Sequence, residues 1–154
     1  MKPAIIFILT SFFLFPSSLL PQNKIIQGKQ QEGVELIISN IRNKKGVIRI
    51  GVYRSDEGYP DKPSVSYSLA KDTITGGQLR IFIPFDRRGL VSFSILDDEN
   101  SNGKMDYILG IMPKEGFGFS NNPRITGMKE PPFSVTSFDF SGGYKEIRVR
   151  MVYI

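Results

Sequence analysis

From Val34 to Tyr153 the chain alternates apolar and polar residues with a period of two, and glycine-bearing turns interrupt the alternation. Side chains of a β-strand point to opposite faces in turn, so this pattern specifies half-buried strands and leaves no room for long helices. Val34, Leu36 and Ile38 fall on one face of a first strand, and Ile48, Ile50 and Val52 on one face of a second. The same holds for Leu79, Ile81 and Ile83, for Val91, Phe93 and Ile95, for Phe138 and Phe140, and for Ile147, Val149, Met151 and Tyr153. Turn signals lie between them at "NKKG", Gly76-Gly77, "DRRG" and "SGG". A short strand near Thr73 would complete seven. The expectation is an all-β chain folded as a single antiparallel β-sandwich of about seven strands, immunoglobulin-like or transthyretin-like. With 154 residues, the chain has the length of one domain with a real core.

Two connections exceed ordinary turns, Arg54 to Ala70 and Asp97 to about Pro132. Loops of that length in a compact domain are usually functional or ordered by something. Strands that simply alternate direction would send these two from opposite ends of the sandwich.

The start of the chain has a different character. Lys2 precedes the apolar run "AIIFILTSFFLF", which Pro16, Ser17 and Ser18 then break. That order reads as a secretory signal over residues 1–21, with an uncleaved anchor as the alternative, because no clean small-x-small cleavage triplet follows. Residues 22–32 are polar and read as a linker, with the sandwich occupying 33–154. The expected location is therefore exported: periplasmic, outer-membrane associated or secreted.

Composition removes several kinds of chemistry. The chain has no Cys and no His, which excludes disulfides, lipidated cysteine, thiol nucleophiles, the Ser-His-Asp triad and the commonest transition-metal ligand. Carboxylates, hydroxyls, lysines and hard, oxygen-liganded cations remain. The formal charge is +5, but the basic residues are scattered between apolar ones and form no aromatic-interleaved stripe. Nucleic acid is not an expected partner; peripheral contact with an anionic membrane surface stays open.

The stretch "DDENSNGKMD" carries the one spacing with specific chemistry. Counting Asp98 as position one, Asn100 is three, Asn102 five, Gly103 six, Lys104 seven (through its backbone carbonyl) and Asp106 nine. This D-x-N-x-N-G-x-x-D order matches three quarters of a Ca²⁺ loop of the EF-hand type, with glycine at six allowing the chain to reverse. Position twelve is Leu109, where a bidentate glutamate would normally stand, so waters, or a carboxylate from beyond the loop with Asp97 and Glu115 nearest, would have to complete the shell. Such a site would be weak, with a Kd of ~10⁻⁴ M. The alternative is a run of turns in which the Asp and Asn side chains satisfy the loop's own N–H groups.

Two further stretches offer contact residues. "KEGFGFSNNP" presents Phe117, Phe119, Asn121 and Asn122, and "EGYPDKP" presents Tyr59. The bland reading of the first is a glycine-aromatic loop folded over the end of the core. Ser68 and Lys71 spell S-x-x-K, which lacks the helix and partner motifs of an acyl-transfer enzyme.

With these stretches in view, the chain resembles the small exported bacterial proteins grouped as domain of unknown function 2141. "GVYRSDEGYPD", "DDENSNGKMDYILGIMPKEGFGFSNN" and "IRVRMVY" carry the resemblance. Members read like H-D-E-N-G-N-G-K-L-D followed by G-I-P-x-E-G-Y-G-F-S-N-N; here Asp97 stands at the His position, Ser101 and Phe117 replace Gly and Tyr, and Met112 is an extra residue. The resemblance implies an immunoglobulin-like sandwich and an envelope location, and it carries no activity with it.

The sequence is thus read as an exported non-enzymatic module. Its Ca²⁺ loop orders a long connection, and Tyr59, Tyr107, Phe117, Phe119, Asn121 and Asn122 are candidate contacts for an envelope protein or a glycan. The alternatives are a small envelope enzyme working through carboxylates such as Glu115 and Asp106, and a small-ligand binding protein.

Overall fold

A computed structural model of the chain describes residues 31–126 and 129–154. The proposed signal segment and nearly all of the linker lie outside the described residues. The described part is an all-β sandwich. One sheet is three-stranded, with β10 (Tyr144–Arg150), β1 (Gly33–Ser39) and β4 (Leu79–Pro84) in that order. The other runs β3 (Val65–Ala70), β2 (Val47–Tyr53), β5 (Gly89–Asp98), β8 (Gly116–Phe119). The short β9 (Phe138–Phe140) also pairs with β5, along Gly89 to Val91. A separate hairpin of two-residue strands, β6 (Tyr107–Ile108) and β7 (Met112–Pro113), stands off both sheets. No helix among the described residues is long and apolar enough to cross a membrane.

The core lies between the two sheets and is built by the faces that the alternation marks. Val34, Leu36 and Ile38 of β1 and Ile48, Ile50 and Val52 of β2 are buried. So are Val91, Phe93 and Ile95 of β5, with Phe138, Phe140, Val149 and Met151. Phe85, Phe93, Phe138 and Phe140 form a chain of ring contacts with centroids 5.2–6.3 Å apart. The Phe85–Phe140 contact is edge-on, Phe93–Phe138 tilted and Phe85–Phe93 stacked at 6.3 Å between centroids.

Four local features differ from the sequence expectation. All strand pairs are antiparallel except β1–β10, which run parallel in register from Gly33↔Tyr144 to Ser39↔Arg150. The strand expected near Thr73 lies earlier, as β3, inside the segment read as a long loop; only a Thr75↔Gln78 bridge closes the Gly76-Gly77 turn. The run "SVTSFDF" that carries Phe138 and Phe140, read as one strand, begins instead in a single helical turn, α1 (Phe133–Thr136), and only Phe138–Phe140 is extended as β9. Finally, "GFGF" is a true strand, β8, paired with β5 from Ser94↔Phe119 to Asp97↔Gly116. This register turns the glycines inward and the phenylalanines outward. A Cβ on Gly116 would lie 2.2 Å from the Tyr153 ring, and one on Gly118 would lie 2.7 Å from Val149 Cγ1. The glycines therefore let the end of the chain settle against β8.

The central strand β5 contacts three other strands, so its core residues should be the most costly to truncate. Phe93→Ala should destabilise the protein by about 3–5 kcal/mol, whereas Ser66→Ala on the exposed side of β3 should stay within about 0.5 kcal/mol. Urea denaturation followed by fluorescence or circular dichroism measures both.

Candidate functional site

At the end of β5 two consecutive carboxylates point to opposite faces of the sheet, as neighbouring strand residues must. Asp98 faces outward into the loop; Asp97 faces inward.

The Asp98 carboxylate organises the loop. Its Oδ1 accepts the Asn102 N–H at 3.0 Å, and its Oδ2 accepts the Gly103 N–H at 2.9 Å and the Arg49 Nε–H at 2.5 Å. Asn100 Oδ1 accepts the Asn102 N–H, and Asn102 Oδ1 accepts the Lys104 N–H, each at 3.0 Å. Their amide nitrogens both donate to Asp106, at 2.7 Å from Asn100 and 3.0 Å from Asn102. Gly103, at φ +85°, makes the reversal that its position requires. Asp98, Asn100, Asn102 and Asp106 are therefore brought together in a hydrogen-bonded turn, the arrangement set beside the ion loop as its alternative. In the described state each carboxylate or amide oxygen named here receives an N–H. The Lys104 side chain is exposed.

Glu115 is buried and closes the loop from behind. Its Oε1 accepts the Glu99 N–H at 3.0 Å and its Oε2 the Asp106 N–H at 3.2 Å, so one carboxylate ties both ends of the turn together. Lys114 N–H adds a bond to the Asp106 carbonyl at 2.9 Å. Beyond this clasp the β6–β7 hairpin projects, turning at Leu109 and Gly110, both at positive φ. Tyr107, Ile108, Ile111 and Met112 are exposed, and Leu109 is 92% exposed.

Asp97 is not brought to the loop's other oxygens. It lies in the core, fully buried, with its Oδ1 against the Lys71 ammonium, which is also buried. The Tyr153 hydroxyl donates to Asp97 Oδ2 at 2.6 Å. Burial, followed by the hydrogen bond to Asp97, pushes the Tyr153 phenol far above its ordinary range, so it remains a proton donor. The Arg42 guanidinium lies 4.5 Å from the centre of the Tyr153 ring, and its Nε bonds Glu99 at 2.5 Å. That bond, opposed by burial, holds the Glu99 carboxyl below its usual range.

The remaining candidates are dispersed. Phe117 and Phe119 stand on the outer face of β8. With Tyr107, Met105, Leu96 and Ile125 they line a half-open cleft of about 200 Å³, whose far wall is Pro60 and Asp61. The two long connections therefore meet, because β8 runs antiparallel to β5 and carries the second back toward the end of the sheet from which the first departs after Tyr53. Tyr59 packs edge-on against Tyr53 and Phe133 and accepts a hydrogen bond from Thr136. Asn121 and Asn122, both left-handed, bond backbone: Asn121 to Val135 and Ser137, Asn122 to Arg148 and Arg150. Ser68 faces outward while Lys71 faces inward, so they form no pair. Among the described residues no group of three or more Asp, Glu, His or Cys side chains is gathered as a metal site.

Sequence reasoning gave no site role to Arg49, Arg42 or Tyr153, and weighed Lys71 only within S-x-x-K and Asp97 only as a ligand of the loop. A usable signal exists for the buried pair: Asp97 in β5 and Lys71, one residue beyond β3, both fall on the inward parity of their strands, where a charge is out of place.

The model of a family described as "Uncharacterized protein conserved in bacteria (DUF2141)" matches residues 36–148, most of the described sandwich. The chain belongs to this DUF2141 family. The match takes in the Asp98 loop, the hairpin and β8, and ends within β10. No curated protein and no solved structure gives a significant match.

The charge balance at Asp98 yields a pH prediction. Burial works to raise its carboxyl, but Arg49 and the Gly103 and Asn102 N–H groups outweigh it, leaving the pKa below the ordinary value. A carboxylate depressed on folding contributes stability above its unfolded pKa of about 3.9, and that contribution is lost as pH falls through the folded value. Asp98→Asn should therefore lower the urea midpoint at pH 7 and flatten the acid limb below about pH 4. A variant whose acid limb parallels the parent's would contradict this.

Proposed function

We propose that this protein is an exported, non-catalytic β-sandwich module that presents the Tyr107–Pro113 hairpin to a protein partner. The observation that carries the reading is the exposure of five large apolar side chains on one short hairpin, with Leu109 at 92%. Contiguous exposed apolar surface of this kind marks a contact site. The hairpin is also held in place, since Glu115 and the Lys114–Asp106 bond clamp its base. Export is supported by the apolar run after Lys2, and the absence of cysteine suits a domain that relies on its core. Glu115 and Asp106, the carboxylates named for acid-base work, both spend their oxygens on N–H groups, which supports a structural role for each.

A photo-cross-linking side chain placed at Leu109, in cells that make the protein naturally, should give a discrete adduct. The same side chain at Asp72, an exposed residue in the β3–β4 connection, should not. Ile108→Asp combined with Ile111→Asp should abolish the adduct without lowering the melting temperature. Equal labelling from both positions would overturn the reading.

A second reading is favoured by the convergence of Asp98, Asn100, Asn102 and Asp106: the loop takes up Ca²⁺ weakly. Binding requires Asp98 to exchange Arg49 for the ion and the two amides to turn their oxygens inward. At ~10⁻⁴ M affinity, ~1 mM Ca²⁺ would add about 1.4 kcal/mol over EDTA, a rise of roughly 3–6 °C in Tm. The rise should vanish in Asp106→Ala. A Tm indifferent to Ca²⁺ would leave the loop as a hydrogen-bonded clasp.

A further inference from the structure

We propose that Lys71 and Asp97 condense with each other, joining the end of β3 to β5 by an amide bond between their side chains. Both side chains are completely buried and in direct contact. Yet Lys71 Nζ and Asp97 Oδ1 have no hydrogen-bond partner, so the contact is not made in hydrogen-bonding geometry. A lysine ammonium carries three N–H donors, and burying it calls for acceptors for all of them. This site offers one carboxylate. An amide would need less, one donor and one carbonyl acceptor, and the Tyr153 hydroxyl already donates to the oxygen, Asp97 Oδ2, that would become the carbonyl.

The surroundings are built for the approach. Asp97 stands opposite Ile48 of β2 on one side and Gly116 of β8 on the other. Gly116 leaves space that a Cβ would deny, and the Tyr153 ring fills it, bringing its hydroxyl to the carboxyl. Arg42 covers the outer face of that ring and gives its backbone N–H to the same hydroxyl at 3.2 Å. From the other side Lys71, next after β3, reaches beneath β2 to the same carboxyl. Holding two reactants together in a dry cavity supplies the proximity that amide formation lacks in water, and it shields the product from hydrolysis.

The balance closes without any further reactant. A proton passes from the ammonium to Oδ1, leaving a neutral amine and a carboxylic acid. The Nζ lone pair then attacks Cγ, and the C–O π pair moves to Oδ2, where Tyr153 stabilises the oxyanion. A second proton moves from nitrogen to Oδ1, the Cγ–Oδ1 bond breaks, and water leaves as the Oδ2 carbonyl re-forms. Two buried charges become one neutral group. In a chain with no cysteine, this staple takes the place of a disulfide within the larger sheet, linking two strands that do not pair directly.

The test is peptide mapping of the full-length protein, purified folded, then denatured and digested with trypsin. The expected product is a branched peptide joining the Lys71 and Asp97 segments, lighter by one water than the two separate peptides together. Cleavage after Lys71 with two linear peptides of sequence mass would overturn the proposal, and wild-type protein alone suffices for that result. Lys71→Arg keeps a cation in the pair but removes the amine, and should give linear peptides only. Tyr153→Phe keeps the ring on Gly116 and removes the donor, so the branched fraction at a fixed time after synthesis should fall. An unchanged branched fraction in Tyr153→Phe would overturn the role given to the hydroxyl.

Discussion

Taking a lysine ammonium out of water costs several kcal/mol, and a contact with a single carboxylate recovers that only with good geometry and further hydrogen bonds. The sandwich places such a pair, Lys71 and Asp97, between its sheets, and much of the neighbouring structure arranges itself around it. Gly116 is small so that Tyr153 can pack against β8 and direct its hydroxyl at Asp97. The chain after β10 leaves its strand to do this, bonding Phe117 through Val152 in both directions. Arg42, on the turn after β1, caps the tyrosine ring. A small apolar residue in place of Asp97 would leave the ammonium uncompensated, which is the costly way to disturb such a site.

The outward carboxylate has the opposite economy. Asp98 is met by a guanidinium and two backbone N–H groups, all at hydrogen-bonding distance. Charge-assisted bonds of this sort are stronger than neutral ones, and here they fold the turn back on the strand that feeds it. The next residue, Glu99, is paired with Arg42, while its N–H belongs to Glu115. The residues after β5 thus connect the buried pair to the base of the exposed hairpin in a few steps.

Much of the fold can be read from alternation alone, because a two-residue period with a buried face leaves little freedom in register. Val91, Phe93 and Ile95 declare the inner face of β5, and two more residues along that face arrive at Asp97. On β3 the same exercise runs through Tyr67 and Leu69 to Lys71. The pattern "VSYSLA" is as regular as any other strand; the prolines at 60 and 63 and the length of the connection disguise it as loop. What alternation cannot give is the partner. β8 reads as two phenylalanines facing a core, and it faces the other way because Val149, Met151 and Tyr153 already occupy the inner side. The parallel pairing of β1 with β10 joins segments far apart in sequence, and the meeting of the two long connections depends on β8 pairing back along β5. The Asx turns of the loop are legible in its Asp and Asn spacing because they are local; Arg49, which shares Asp98, comes from a different strand and leaves no local trace.

The anchoring of the hairpin's base follows from the same connectivity. An exposed apolar tip on a freely moving loop would lose conformational entropy on binding, and each immobilised side chain would cost about 0.5–1.5 kcal/mol. Here the base is held by a buried carboxylate. Glu115 can hold both N–H groups only while Glu99 and Asp106 keep their spacing. Glu99 keeps its place through Arg42, and Arg42 through Tyr153. A surface only two residue pairs wide is thereby tied to the interior of the sandwich. Loosening Tyr153 from Asp97 would loosen the tip without touching a residue on it.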